Sequence, residues 1–374
     1  MKRSHACAFQ LDGLERLPND CQILVFSFLR LKDVAVVATL SKRLKALAYE
    51  LPHWKTFDMF GLQNQSAIFF SRAHGRKVES LSVIGMRISR ALCNGFSTYN
   101  RLEHLDITNI WKSPSVNDRF VNILIHLPLK SLQFGPNEIT GKGFLALCKG
   151  LGTTLETFDF NSRFIRTKGF YGIVHLQKLK SLTLRSCINL DHTVVPFICA
   201  LRNLCVLQLS FLPLVSATCL NVINKSPLKD QLVTLVLNGM YLNEEHCTSL
   251  SKFKSLQFLS LCHPQITNQA LSCFKSDTLS VFTLFCSKAL GKIDFVNGLS
   301  NLTSLCFYRC AVNTNSLIHW AERRKKLHID ICKISIFENR QILPLGTPAE
   351  KQLRDLPNVS FIKLIPRPFR IIET

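Results

Sequence analysis

Carboxylates are scarce in this 374-residue chain: 25 Asp plus Glu face 46 Lys plus Arg, a formal charge of +21. That excess favours an acidic partner surface or nucleic acid and by itself selects neither. Charge is low overall, at 19% of residues against 47% hydrophobic, which excludes a chain disordered throughout. No apolar run approaches the roughly 20 residues that span a bilayer. The opening MKRSHACAFQLDGLERL has no continuous apolar stretch of signal-peptide length, so no membrane partner is expected. Fifteen cysteines are scattered from Cys7 to Cys332 without a CxxC, Cys306 and Cys310 being the closest pair. An odd, dispersed set makes a poor disulfide framework and a poor zinc site, so the thiols are expected to be reduced and mostly buried in a soluble, intracellular protein.

What is present in abundance is a repeat. The frame apolar-x-x-apolar-x-apolar recurs as LEHLDI (102–107), LKSLQF (129–134), LETFDF (155–160), LKSLTL (179–184) and LCVLQL (204–209). It continues as LVTLVL (232–237), LQFLSL (256–261), LSVFTL (279–284) and LTSLCF (302–307), with VESLSV (78–83) before and a degenerate KLHIDI (326–331) after. Starts lie 23 to 28 residues apart, the spacing of leucine-rich repeats. VSFIKL (359–364) is read as a last copy after a longer, Pro-containing excursion.

The frame has a physical reason. Leu105 and Ile107 are two apart on a short strand and point to the same side, inward, while the third and fifth positions point away. One unit presents a hydrophobic wedge that only stacked neighbours can bury. Return segments such as ITGKGFLALCKGL (139–151), IRTKGFYGIVHL (165–176) and ITNQALSCF (266–274) carry apolar residues at helical spacing, and Asn117 is placed to cap NDRFVNILIHL (117–127). Helices are wider than the strand spacing, so the stack must curve with its sheet concave. The units resemble cysteine-containing leucine-rich repeats, with Cys187 and Cys310 following the strand where other copies have Asn137, Pro264 or Met240.

Residues 11–58 follow another rhythm, two apolar helical stretches and a third polar one around Leu44 and Leu47. Pro18 can start the first helix and Asp33 can cap the second. With Leu17-Pro18, Ile23-Leu24, the Phe26-Ser27-Phe28-Leu29 run, Leu31-Lys32-Asp33, Ser41-Lys42-Arg43-Leu44 and Trp54-Lys55, this segment resembles an F-box. Cys21 stands where that family usually has an acidic residue, and Leu44 where it usually has Trp. An F-box followed by such repeats is similar to the F-box and leucine-rich-repeat substrate receptors of cullin-RING ubiquitin ligases.

The expected fold is α/β: a trihelical F-box (11–58), a linking helical segment (59–77), and a curved solenoid (78–331) with a concave parallel sheet and a mainly helical convex side. An irregular final repeat with cap and basic tail (332–374) closes it. The resemblance implies a Skp1-type adaptor as partner, an unknown protein substrate, no catalytic residue, no cofactor and no metal. It also implies Leu17, Pro18, Ile23, Leu24, Phe26 and Leu29 as adaptor contacts, in a protein of the cytoplasm and secondarily the nucleus. An interaction scaffold without ligase assembly is the alternative, and adaptor binding separates the two.

For substrate contact the sequence singles out Phe258, His263, Phe285, Tyr308 and Arg309, aromatic area with a cation on the outward strand positions of the late repeats, against Asp106 and Asp159 early on. Basic clusters at 3–9, 42–45, 71–77, 322–326 and 367–370 are dispersed, and no RRM, homeodomain or zinc-finger pattern accompanies them, so no specific nucleic acid is expected. Cys262-His263 lies inside the repeat and lacks a nucleophile-base-glycine arrangement.

Overall fold

The computed structural model describes residues 16–29, 31–51, 54–59, 67, 75–108, 110, 113–332, 335–338, 341–342 and 348–361. Three helices come first: α1 (Asn19–Ser27), α2 (Leu31–Val37) and α3 (Lys42–Glu50). Pro18 flanks α1 at its start, and the Ser41 side chain caps α3 by accepting from Leu44 N. Asp33 lies in the first turn of α2, not in front of it; a carboxylate there still favours the positive end of the helix. Phe26, Val34, Ala38, Leu44, Leu47, Ala48, Leu51 and Trp54 make the core of this module.

The rest is one parallel sheet. Its strands are β1 (Thr56–Asp58), β2 (Ser80–Ser82), β3 (His104–Ile107), β4 (Ser131–Phe134), β5 (Thr157–Asn161) and β6 (Ser181–Arg185). They continue with β7 (Val206–Ser210), β8 (Thr234–Asn238), β9 (Phe258–Cys262), β10 (Val281–Phe285) and β11 (Ser304–Tyr308). Past β12 (Ala311–Asn313), the sheet resumes with β13 (His328–Cys332); β14 (Ser335–Glu338) and β15 (Gln341–Ile342) follow, and β16 (Val359–Phe361) is last. Thirteen strands run in chain order, β12, β14 and β15 forming a separate three-stranded sheet.

Register explains why the frame repeats. Leu105 pairs with Leu132, then Phe158, Leu182, Leu207 and Leu235, so the fourth frame position forms one buried column through the array. Ile107 begins a second column through Phe134, Phe160, Leu184, Leu209 and Leu237. Both face inward as the alternation requires, and the buried side chains form one continuous cluster from Phe57 to Val359. Phenylalanine rings link consecutive repeats inside it: Phe96 to Phe120 at 5.1 Å, Phe134 to Phe160 at 6.2 Å, Phe160 to Phe144 at 5.0 Å and Phe144 to Phe170 at 5.2 Å.

Return segments are short. Gly141–Gly150 is a full helix capped by Thr140, and Asp118–Leu124 is capped by Asn117, but 165–176 divides into Thr167–Phe170 and a 3-10 stretch, Tyr171–His175. Gly141 and Gly169 let two of them touch backbone to backbone: a Cβ on Gly141 would lie 2.9 Å from the Gly169 Cα. Cys187 and Cys310 are buried after their strands, each Sγ donating to the carbonyl of a preceding repeat, Phe160 at 3.6 Å and Leu284 at 3.2 Å. Asn137 ties repeats together in the other direction, its amide donating to Asn161 O of the following repeat at 2.9 Å.

Both ends of the array depart from the expected boundaries. WKTFDM (54–59) is itself a copy of the frame: Phe57 pairs with Leu81, and Trp54, Phe57 and Met59 are all buried. The solenoid therefore begins 24 residues before position 78, inside the segment assigned to the F-box. At the far end Val359 pairs with Ile329 and Phe361 with Ile331, so the last copy is LPNVSF (356–361) and not VSFIKL. Leu356 packs on the core as its first apolar position. Most of the linking segment 59–77, and the tail from 362, lie outside the described residues.

The module and the array are joined through that first strand. Trp54 belongs to the module core, donates from Nε1 to Ala48 O at 2.6 Å and packs edge-on against Tyr49 at 5.7 Å. Three residues on, Phe57 is in the array core. Glu79 and Ser80 donate from their amides to Lys55 O at 2.8 Å, Lys55 pairs with Glu79 at 3.1 Å, and Lys77 Nζ donates to Tyr49 O at 2.5 Å.

Candidate protein-docking surfaces

The module carries more apolar surface than its core uses. The second half of helix α1, Ile23 to Phe26, is apolar on every side: Phe26 is 1% exposed and packs in the module core, while Leu24, Val25 and, just past the helix, Phe28 are exposed, Phe28 at 82%. From α2 and the turn after it, Val36 and Leu40 are exposed too. A helix apolar on every side needs a second partner for its outer face.

Of the six residues expected to contact an adaptor, Leu24 is on this surface. Ile23 and Leu29 are half-buried against the core, and Leu17 and Pro18 sit where their carbonyls accept from Gln22, Nε2 at 2.8 Å and N at 3.0 Å. Phe26 is a correction: its ring points into the module and offers nothing to a partner. Val25, Phe28, Val36 and Leu40 are the other exposed apolar residues of the module. The signal for them was spacing, Leu24 to Phe28 and Val36 to Leu40 being four apart on faces that Phe26 and Val34 do not share. Leu44 is fully buried, a core residue that fills its place without reaching the surface.

The late-repeat cluster forms only in part. Phe285 and Tyr308 are register partners on adjacent strands with ring centroids 5.2 Å apart, and the Arg309 guanidinium lies 5.5 Å from the Tyr308 ring. His263 is against Tyr241 instead, at 5.5 Å, and its Nδ1 accepts from Gln265 N at 3.2 Å. Phe258 is at the opposite end of β9 from Cys262, the residue paired with Phe285, and so lies roughly 13 Å away along the strand. These five residues are three neighbourhoods, not one patch.

Cys262 and His263 do not converge as a nucleophile and base. Cys262 is beside Cys286, and burial first, then that neighbour, pushes its thiol up to about 12, which keeps it protonated and unreactive. Burial holds His263 below the ordinary histidine value. Among the described residues no group of three or more His, Cys, Asp or Glu is arranged to hold a metal ion, and no helix is long and apolar enough to cross a membrane.

Early on the concave face, Asp159 is 6% exposed and pairs with Arg185 at 2.8 Å. Burial raises its carboxyl to about 6 against the pull of Arg185, and the charge of Asp106 adds to the rise. One carboxylate oxygen, Oδ1, has no hydrogen-bond partner. The other early carboxylate, Asp106, accepts from Thr108 N at 2.9 Å and Oγ1 at 2.6 Å.

Comparison with known proteins places the module. The F-box domain family matches residues 14–56. No curated protein sequence matches the chain. Solved structures similar to it include a chain of the yeast Rad7 and Elc1 complex, at 17% identity and a TM-score of 0.48 over 92% of each chain. Another is an internalin from Listeria monocytogenes, at 14% identity and a TM-score of 0.44 over 82% of this chain and 95% of that one. Residues 14–56 are an F-box domain, and the chain joins it directly to a leucine-rich-repeat solenoid.

Proposed function

We propose that this protein is the substrate-recognition subunit of a cullin-RING ubiquitin ligase, its F-box seated on a Skp1-type adaptor and its repeat array holding a protein substrate. The observation that carries the reading is the coincidence of the F-box match with the exposed apolar side chains of Leu24, Val25, Phe28, Val36 and Leu40 within the matched segment. No bond chemistry is asked of the chain; it contributes proximity, raising the local concentration of substrate near a ubiquitin carrier. The shared Trp54 strand suits that task, because it fixes the adaptor-binding helices against the first repeat with no slack between them.

The test is co-purification with a Skp1-type adaptor. Wild type is expected to retain the adaptor, and the Leu24→Ser/Phe28→Ser variant to lose it with its melting temperature unchanged, since both side chains are already in water. Folded wild-type protein that captures no adaptor would refute the proposal.

A further inference from the structure

Large apolar side chains exposed on the described part of the array are few, and they are not scattered. Phe164, Ile188, Phe211, Leu214 and Tyr241 are each between 43% and 59% exposed, and all lie in the loops that leave the C-terminal ends of β5 to β8. Only Tyr171 and Val222 lie elsewhere, on the helical side. His263, its ring tilted against Tyr241, extends the row to β9. The floor of the concave face offers much less: on the central strands Asp159, Thr183, Val236, Ser260 and Thr283 are closed off between their neighbours.

These loops are held in place. The residue that follows the strand is in the left-handed region in five repeats, at Ser186, Phe211, Gly239, Cys286 and Arg309. A phenylalanine at φ 56° is a conformation bulky side chains rarely adopt. Its ring lies over the next repeat's turn, with Cδ1 3.6 Å from where a Cβ on Gly239 would be. Packing fixes an aromatic ring on the surface in a strained turn, and the core has no use for it there.

Charge on the same rim is basic at its β5 end. The loops 161–166, 186–190, 211–216, 239–243, 263–266 and 286–290 contain no Asp or Glu, but they hold Arg163, Arg166 and Lys288, and Arg309 follows on the next repeat. Among the described residues none of these four cations is in an ion pair. Carboxylates begin where the middle loops end: Asp191 closes the β6 loop and accepts from Thr193 N at 2.9 Å, Glu244 accepts from Gln269 at 2.7 Å, and Glu244 and Glu245 line a hollow with Tyr241, so the basic part of the rim is its β5 end, at Arg163 and Arg166. A second copy of this chain, itself at +21, is a poor occupant.

We propose that the rim from Phe164 to His263 docks an extended acidic segment of a partner protein, whose interleaved aromatic or aliphatic side chains sit on Phe211 and Tyr241 while its carboxylates meet Arg163 and Arg166. This deepens the receptor reading by naming the chemistry of the substrate, and it rests on that reading only for calling the partner a substrate. Four strand steps from β5 to β9 span about 19 Å, the length of roughly six extended residues.

The probe is a fluorescent peptide of about eight residues alternating carboxylates with phenylalanine, tyrosine and leucine, titrated against the full chain by anisotropy. Wild type should bind it, more weakly as salt rises. Phe211→Ser/Tyr241→Ser and, independently, Arg163→Glu/Arg166→Glu should each weaken it by about tenfold or more. Tyr171→Ser/Val222→Ser, also exposed and apolar but off the rim, should not. The proposal is overturned if the off-rim variant loses as much, if a peptide with lysines replacing the carboxylates binds as well, or if Phe211→Ser abolishes self-association instead. Adaptor capture by the same proteins separates the two readings: Leu24→Ser/Phe28→Ser that loses adaptor yet binds peptide leaves the rim standing whatever becomes of the ligase assignment.

Discussion

The F-box and the repeat array bury apolar residues by different rules. The F-box closes a small core around Phe26, Val34, Leu44 and Trp54 and leaves other large apolar side chains outside, on Leu24, Phe28 and Val36. In the array each repeat's wedge is covered by the next, so the core is open-ended and almost nothing apolar is left over except on the loops of β5 to β8. Surplus apolar surface therefore means more in the array than its amount suggests, because stacking had every opportunity to absorb it. Trp54 stands where the rules meet, a residue of the closed core at the first frame position of the open one.

That contrast can be broken at three points. The largest effect is expected from Leu182→Asp, which charges the buried column between Phe158 and Leu207 and should cost about 4 kcal/mol or more. Hydrogen exchange should show lost protection across β5 to β7, with the F-box amides retained; unchanged protection in β5 and β7 would mean that the repeats do not share a core. Next is Trp54→Ala, expected to cost about 3–5 kcal/mol. Its loss should be felt on both sides, in α3 and in β1 and β2, and protection lost in the F-box alone would show the joint to be a flexible tether.

The smallest effect concerns pH. Burial raises the folded Asp159 carboxyl from its ordinary 3.8 to about 6, so the folded state holds its proton more tightly than the unfolded chain does. The contribution is complete below about pH 4 and disappears as pH rises through about 6, up to about 3 kcal/mol in all. Wild type should lose stability over that interval relative to Asp159→Asn, in the array amides and not in those of the F-box. Parallel pH profiles would place Asp159 in a more solvated site.

Much of this was legible in the residues. The fourth and sixth frame positions stated which side chains face inward, and Leu105 through Leu235 follow the rule strand by strand. Two copies were misread for a common reason. WKTFDM begins with Trp instead of Leu and follows the helical stretches without a break in pattern; LPNVSF has Pro and Asn inside the frame, and VSFIKL, three residues on, matches the apolar spacing as well. Pairing with Leu81 and Ile329 decides both, and pairing is a property of the neighbour strand. Site residues were less legible. Phe258, Phe285 and Tyr308 share an outward pattern, yet a strand's length separates the first from the others.

Periodicity alone determined the fold, because a wedge repeated every 23 to 28 residues has one way to hide itself, behind its own copies. Tertiary structure alone decided which apolar residues were left over. Phe26, inside helix α1, and Phe28, just past its end, are two residues apart, one fully sheltered and the other almost wholly in water, and Phe211 stands outside a core that took in Leu207 and Leu209. Composition counts all of these side chains alike; exposure depends on what the rest of the chain brings against them, and that is settled only when the helices close and the repeats stack.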